Sequence, residues 1–143
     1  YRSLKFYPNP NEYSGYNRNQ SNDVPIFRLA DIILTKAEAL LRGARATNAD
    51  TPQSLLNQIR AYVHAPEFAG KPTLHDLLDE RGREFVDENW RRNDMIRFGT
   101  FESEYGFHVN GFPGARFDKS CRILPVPKAI MEENQNWEQN KGY

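Results

Sequence analysis

Residues 78–99, LDERGREFVDENWRRNDMIRFG, combine regularly spaced charges with bulky apolar side chains. Glu80, Glu84 and Glu88 recur at intervals of four residues, so on a helix they lie on one side as neighbours. Trp90 and Phe98 stand in the same stretch, which a merely solvated helix would not need. Because an isolated buried charge is very costly, the pattern predicts that some of these charges are buried and paired.

The paired charges are predicted to join one helix to another. Arginine holds a carboxylate through two parallel hydrogen bonds, so we expect Arg91 and Arg97 to pair with acidic side chains. The acidic partners are expected in the same stretch, with one further carboxylate reaching across from the first helix. The role expected of this network is structural. Its predicted members are Glu38, Glu84, Glu88, Arg91, Asp94 and Arg97.

The composition argues against several classes of partner. The chain has 143 residues, which suits one domain or part of a larger one, and its 19 basic and 19 acidic side chains cancel. Without a basic excess, neither nucleic acid nor an anionic membrane surface is the expected partner. No apolar run approaches the ~18 residues that would span a bilayer. The sequence does not begin with Met, so we expect a fragment or a processed product.

Apolar periodicity and capping residues predict a mainly α-helical fold. A first helix is expected from about Val24, with Asp23 as its N-cap and Gly43 as its stop. A second helix is expected to follow Thr51 as cap, with Pro52 in its first turn.

A third helix begins at a recognisable start signal. Thr73 and Asp76 have the spacing of a capping box, and the helix is expected to reach residues 88–89. Two short helices are expected over residues 92–98 and 128–134. The first two helices should form a hairpin on which the third packs, a layered all-α arrangement.

Two segments rich in aromatic residues and glycine, residues 1–23 and 99–121, are predicted to be loops. Residues 2–7 alternate in a way that permits one short strand. The simpler interpretation is that the aromatic rings anchor these segments on the helices. The alternative is a ligand-facing surface, because tyrosine rings beside asparagine amides suit sugars.

Catalytic and metal-binding patterns are weak in this chain. His75 and Asp79 are four residues apart, which more often marks an exposed charge pair than a metal site. Many acidic residues are present, but nothing singles out the pair that a glycosidase needs. Cys121 is the single cysteine and is interpreted as a structural thiol. No glycine-rich phosphate loop appears, since residues 111–114 make a turn without a following helix.

Three separate motifs occur in residues 30–42 (ADIILTKAEALLR), 77–99 and 122–143 (RILPVPKAIMEENQNWEQNKGY). As a set and in this order they resemble the C-terminal part of the SusD/RagB family. The matches include the Ala-Glu-Ala of the first helix, a Glu-Arg-x-x-Glu-Phe stretch and a terminal Gln-Asn-x-Gly-Tyr. The departures are Asn89 where glycine is usual, Met95 where leucine is usual and Lys141 where proline is usual.

The resemblance implies a fold of tetratricopeptide-like helical hairpins with long irregular loops, without catalysis and without an obligatory cofactor or metal. It implies nutrient binding at the surface of a bacterial outer membrane, beside a TonB-dependent transporter. Membrane attachment would come only from a lipid anchor upstream of this chain. We expect residues 1–143 to form a single C-terminal domain or fragment. Its parts are a loop region (1–23), a helical core (24–98), a second loop (99–121) and a short helix with its tail (122–143).

The leading hypothesis is that the protein captures an oligosaccharide, with aromatic rings stacking on the sugar and polar side chains binding its hydroxyl groups. The candidate ligand-binding residues are Tyr13, Tyr16, Tyr105 and Phe107. The alternatives are a peptide ligand, a helical scaffold that binds only protein, and an enzyme, which would need convergent polar groups in a pocket.

Overall fold

Helices supply the regular structure of this chain. The structure is a computed structural model that describes residues 5–6, 23, 25–102 and 119–143. These residues contain no strand, which confirms the prediction of a mainly α-helical fold. None of the helices in the described part of the chain is long and apolar enough to cross a bilayer. The helices are α1 (Leu29–Leu41), α2 (Pro52–Tyr62), α3 (Leu74–Glu84), α4 (Arg91–Arg97), a 3₁₀ helix (Lys119–Arg122) and α5 (Lys128–Glu133).

The described residues divide into two compact units, one within residues 1–94 and the other within residues 95–143. The first unit contains α1, α2 and α3, and the second contains the 3₁₀ helix and α5. The expectation of a single domain over residues 1–143 stays a prediction, as does the tetratricopeptide-like character of the helix pairs.

Reciprocal caps fix the starts of α2 and α3. The Thr51 hydroxyl accepts from the backbone N–H of Ser54, whose hydroxyl accepts from the backbone N–H of Thr51. Thr73 and Asp76 make the same exchange at the start of α3. Each exchange satisfies two backbone donors that a helix start otherwise leaves without partners. Both predicted helix starts are confirmed.

The first helix begins later than the sequence predicts. We expected a start near Val24, but α1 begins at Leu29, after an extended Arg28 with φ −145° and ψ 164°. The extended Arg28 binds one carboxylate at the end of α3, Glu84, and one in the segment after it, Glu88. The end of α1 follows the prediction: Gly43 has φ +96°, and the N–H of Ala44 reaches back to the Ala39 carbonyl at 2.9 Å.

The third helix ends earlier than predicted. It stops at Glu84 instead of residues 88–89, and Asp87 and Asn89 have φ values of +64° and +62°. A left-handed residue cannot continue a right-handed helix, and Asp and Asn tolerate this conformation better than most side chains. Residues 85–90 therefore form a turn segment between α3 and α4.

The core of the first unit lies where α1 contacts both α2 and α3. This arrangement confirms the expected contact between the first two helices, and the third helix packs on α1. Burying these apolar side chains stabilises the unit by roughly 1.5–3 kcal/mol for each large one. The buried apolar residues are Ala30, Leu34, Ala37, Leu55, Leu56, Ile59, Leu77, Leu78 and Phe85.

Arg81 forms the deepest ionic contact of the first unit. Its side chain is 1% exposed, and its Nε and Nη2 donate to Asp94 and Asp31, both at 2.8 Å. The third nitrogen, Nη1, has no hydrogen-bond partner among the described residues. The guanidinium lies over the rings of Phe85 and Trp90, at 4.9 and 5.7 Å from their centres. The electron-rich ring faces compensate in part for the missing hydrogen bond.

Arg28 forms a second ionic contact, nearer the surface. Its Nε and Nη2 both donate to Glu88 at 2.8 Å, and its remaining nitrogen binds Glu84. Lys5 also contacts the Glu88 carboxylate, whose side chain is 1% exposed. Burial raises the pKa of Glu88, but the hydrogen bonds and charges of Arg28 and Lys5 outweigh it and hold that pKa below its ordinary value.

The structure gives the predicted carboxylate row different partners from those expected. Glu84 and Glu88 bind Arg28 instead of Arg91, whose Nη1 donates to the Leu78 carbonyl at 2.8 Å. The reason is the turn at residues 85–90, which takes Arg91 out of the helix that carries Glu84.

The other members of the predicted network also have partners different from those expected. Asp94 binds Arg81, and the buried Glu38 pairs with Arg42 one turn further along α1. Arg97 lies over the ring of Phe98, with 5.0 Å between its guanidinium carbon and the ring centre.

The second unit is held by contacts between its last residues and the segment before α5. The Gln139 side chain exchanges two hydrogen bonds with the backbone of Val126, at 2.8 and 2.9 Å. The Tyr143 hydroxyl donates to the Ile123 carbonyl at 2.9 Å. Gly142 has φ +104°, and a side-chain carbon there would lie 2.5 Å from Ser120, so this position requires glycine.

The contrast between Arg81 and Arg91 gives a stability test. We expect Arg81→Met to lower the free energy of unfolding by roughly 3–5 kcal/mol, because it leaves two buried carboxylates without their cation. The same change at the exposed Arg91 removes one hydrogen bond to a carbonyl and should cost about 1 kcal/mol. Urea unfolding of both variants measures the difference. Equal losses of unfolding free energy would contradict the role of Arg81 as the buried cation that Asp31 and Asp94 share.

Glu88 gives a test that depends on pH. Its folded-state pKa lies below the ordinary value of 4.5, so the stability from its pairing is present above pH 4.5 and is lost as the pH falls through the folded-state pKa. We therefore expect Glu88→Gln to lower the melting temperature most at pH 7, and the gap to wild type to shrink below pH 4.5.

Thermal unfolding between pH 7 and pH 3 measures that gap. The matched control is Glu132→Gln, because Glu132 and its partner Lys128 are 65% and 90% exposed. If the difference in melting temperature between Glu88→Gln and wild type stays constant over the whole pH range, ionisation of Glu88 does not contribute to stability.

Candidate functional site

A hollow of about 580 Å³ opens beside the turn segment that joins α3 to α4. Three aromatic side chains line it: Phe6, Phe27 and Trp90. We call it the aromatic hollow. Its volume lies within the range of pockets that hold small ligands.

The aromatic side of the hollow is a continuous cluster of rings. The ring centres of Phe27 and Trp90 are 5.6 Å apart with an interplanar angle of 56°, and those of Trp90 and Phe85 are 6.1 Å apart. Phe85 is buried, Trp90 is half-buried, and Phe27 is 69% exposed. A large aromatic ring that is supported from behind and open in front is typical of a binding surface.

The rim of the hollow is polar. It carries two amides, Asn89 and Asn93, and two carboxylates, Asp23 and Asp87, all of them exposed. Amides donate and accept hydrogen bonds, and ionised carboxylates accept them, so the rim can bind hydroxyl groups. Two of these residues, Asp87 and Asn89, have left-handed backbone, a costly conformation of the kind that clusters at functional sites.

The ionic contact at Glu88 joins the segments that carry this site. Glu88 lies between Asp87 and Asn89 in the chain, and its two cationic partners are the sequence neighbours of lining rings: Arg28 follows Phe27, and Lys5 precedes Phe6. The buried carboxylate therefore positions three separate chain segments around one hollow.

A second hollow, of about 350 Å³, lies between α1 and α2. Its lining is mostly apolar and includes Leu29, which is 71% exposed, and Tyr62, which is 86% exposed. Gln58 adds a single amide. This surface suits an apolar contact better than a ligand rich in hydroxyl groups.

The predicted ligand-binding residues Tyr13, Tyr16, Tyr105 and Phe107 all lie outside the described residues. The aromatic hollow is formed by other rings, and the sequence reasoning did not select them as ligand-binding residues. Phe27 falls within the first helix that the sequence predicts from about Val24, and Trp90 is singled out there only as a bulky side chain among charges. Phe27 and Phe6 stand beside Arg28 and Lys5, but spacing along the chain does not show that these two cations bind Glu88, so no sequence signal identified the hollow.

In the described part of the chain, no group of three or more His, Cys, Asp or Glu side chains is arranged to hold a metal ion. His75 Nε2 lies 3.7 Å from Asp79, and the His75 side chain is exposed whereas Asp79 is half-buried, so the two form a charge pair near the surface. Cys121, the single cysteine of the sequence, is half-buried.

Comparison with known proteins gives two matches. The family model described as the SusD family matches residues 1–143. The starch-binding protein SusD of Bacteroides thetaiotaomicron is 33% identical over 124 residues, which cover 85% of this chain and 22% of that protein. The chain therefore spans about a fifth of the length of this relative. Both matches agree with the resemblance of the three motifs, and the chain belongs to the SusD family.

Proposed function

We propose that this protein binds an oligosaccharide nutrient at the cell surface and delivers it to a TonB-dependent outer-membrane transporter. Proteins of the SusD family bind nutrients and are not enzymes, and they are surface lipoproteins of the outer membrane. The same membership supports attachment to the outer membrane through a lipid anchor. The starch-binding protein SusD matches 85% of this chain, and its name favours a glycan as ligand.

The observation that carries the proposal is the aromatic hollow. Its exposed ring, Phe27, offers a flat apolar surface, and its rim offers amides and carboxylates within the same opening. A sugar ring presents the complementary features, with an apolar face of C–H groups and an edge of hydroxyl groups. The chemistry of the hollow thus fits the ligand class that family membership favours.

A protein partner is the second candidate, and the hollow between α1 and α2 favours it. Exposed Leu29 and Tyr62 there form an apolar surface of the kind that marks protein contacts. In that case the chain would bind the transporter as its protein partner and would have no glycan site of its own. A peptide ligand in place of a glycan is the remaining alternative.

Calorimetry distinguishes these functions. We expect the intact protein to release heat on titration with at least one member of a panel of neutral and acidic oligosaccharides, and none with a panel of unstructured peptides of similar length. Heat from the peptides alone would favour the peptide alternative. No heat from either panel, with co-purification of the transporter, would favour the scaffold and contradict glycan binding.

A further inference from the structure

We propose that the aromatic hollow is a subsite for an uncharged sugar ring, with Phe27 as the stacking platform and Asp23 and Asp87 as a barrier to acidic sugars. This inference rests on the proposed function and specifies both the place of binding and the class of glycan. It uses residues that the sequence analysis did not assign to ligand binding.

Stacking is assigned to Phe27 because it is the most accessible ring of the cluster. Trp90 supports it from one side at 5.6 Å, and Trp90 itself packs against Phe85 and the Arg81 guanidinium. Phe27 thus has a fixed position while 69% of its surface is open. A preorganised ring loses little freedom when a ligand stacks on it, which favours affinity.

Hydroxyl recognition is assigned to the rim. Asn89 and Asn93 offer amide donors and acceptors, and Asp87 offers two carboxylate oxygens. A hydroxyl that donates to a carboxylate makes a charge-assisted hydrogen bond, which is stronger than a bond between neutral groups. The left-handed backbone at residues 87 and 89 turns these two side chains outward from one short segment.

The charge of the rim determines the class of sugar. Among the described residues that line the hollow, none is basic, whereas Asp23 and Asp87 are acidic and exposed. The third acidic residue of the lining, Glu88, is paired with Arg28 and Lys5. Asp23 and Asp87 therefore place two exposed carboxylates on the rim, and their negative charge repels a carboxylate or sulfate group on the ligand.

The test uses maltoheptaose and the same oligosaccharide oxidised at C6 to the uronic acid, so that the two probes differ in charge at one position of each ring. We expect the intact protein to bind maltoheptaose at least about tenfold more tightly than the oxidised form, measured by calorimetry at low salt. Phe27→Ala should weaken binding of maltoheptaose by about tenfold.

Two variants make the test specific to the hollow. Tyr62→Ala removes an exposed ring at the other hollow and should leave the affinity unchanged. Asp87→Asn removes one rim charge at a position where Asn also tolerates left-handed backbone, so it should fold and should bind the oxidised probe more tightly than wild type does.

Two results would overturn the inference while leaving the proposed function intact. One is an equal effect of Phe27→Ala and Tyr62→Ala on maltoheptaose binding. The other is a failure of the wild-type protein to prefer maltoheptaose, while another glycan of the panel gives heat. That failure means either that neither probe binds or that the oxidised probe binds as tightly as maltoheptaose. The absence of heat from every glycan would instead contradict the proposed function.

Discussion

The buried carboxylate of Glu88 is the contact on which the rest of this site depends. Its side chain is 1% exposed, and burial at that depth is unfavourable for a carboxylate unless cations and hydrogen bonds compensate. Arg28 and Lys5 supply both. Each of these partners is the sequence neighbour of a ring that lines the hollow. Pairing the charge of Glu88 therefore also brings together three chain segments that are far apart in the sequence.

The ionic and aromatic parts of the first unit form one layered structure. Two guanidinium groups contact the ring of Phe85, with Arg28 at 4.7 Å and Arg81 at 4.9 Å from its centre. Trp90 then continues the cluster outward to Phe27 at the surface. Arg28 and Arg81 each combine hydrogen bonds to two carboxylates with contact to an aromatic ring, which a lysine could not reproduce. The exposed ring of Phe27 is therefore supported, through Trp90, by the buried Arg81 and its carboxylates.

Local signals in the sequence predicted the helices well, because capping boxes and glycine stops act over a few residues. Thr51 and Thr73 start α2 and α3 as expected, and Gly43 follows α1. The identity of the ionic partners was not predictable in this way. Four-residue spacing placed Glu84 and Glu88 on one helix side, but the chain turns after Glu84, and Arg28 approaches from 56 residues away in sequence. Spacing reports on a continuous helix and carries no information about a partner so distant.

The turn itself had a readable signal in the resemblance to the family. Asn89 stands where glycine is usual, and its φ of +62° shows why: the position requires left-handed backbone, which glycine adopts freely and asparagine tolerates. The two residues are not equivalent at the surface, because asparagine adds an amide to the rim of the hollow. The backbone conformation that the ionic contact at Glu88 supports can thus stay constant while the side chain at this position alters the polarity of the opening. Under the proposed function, ligand preference can change here without disturbing the buried charges that hold the fold.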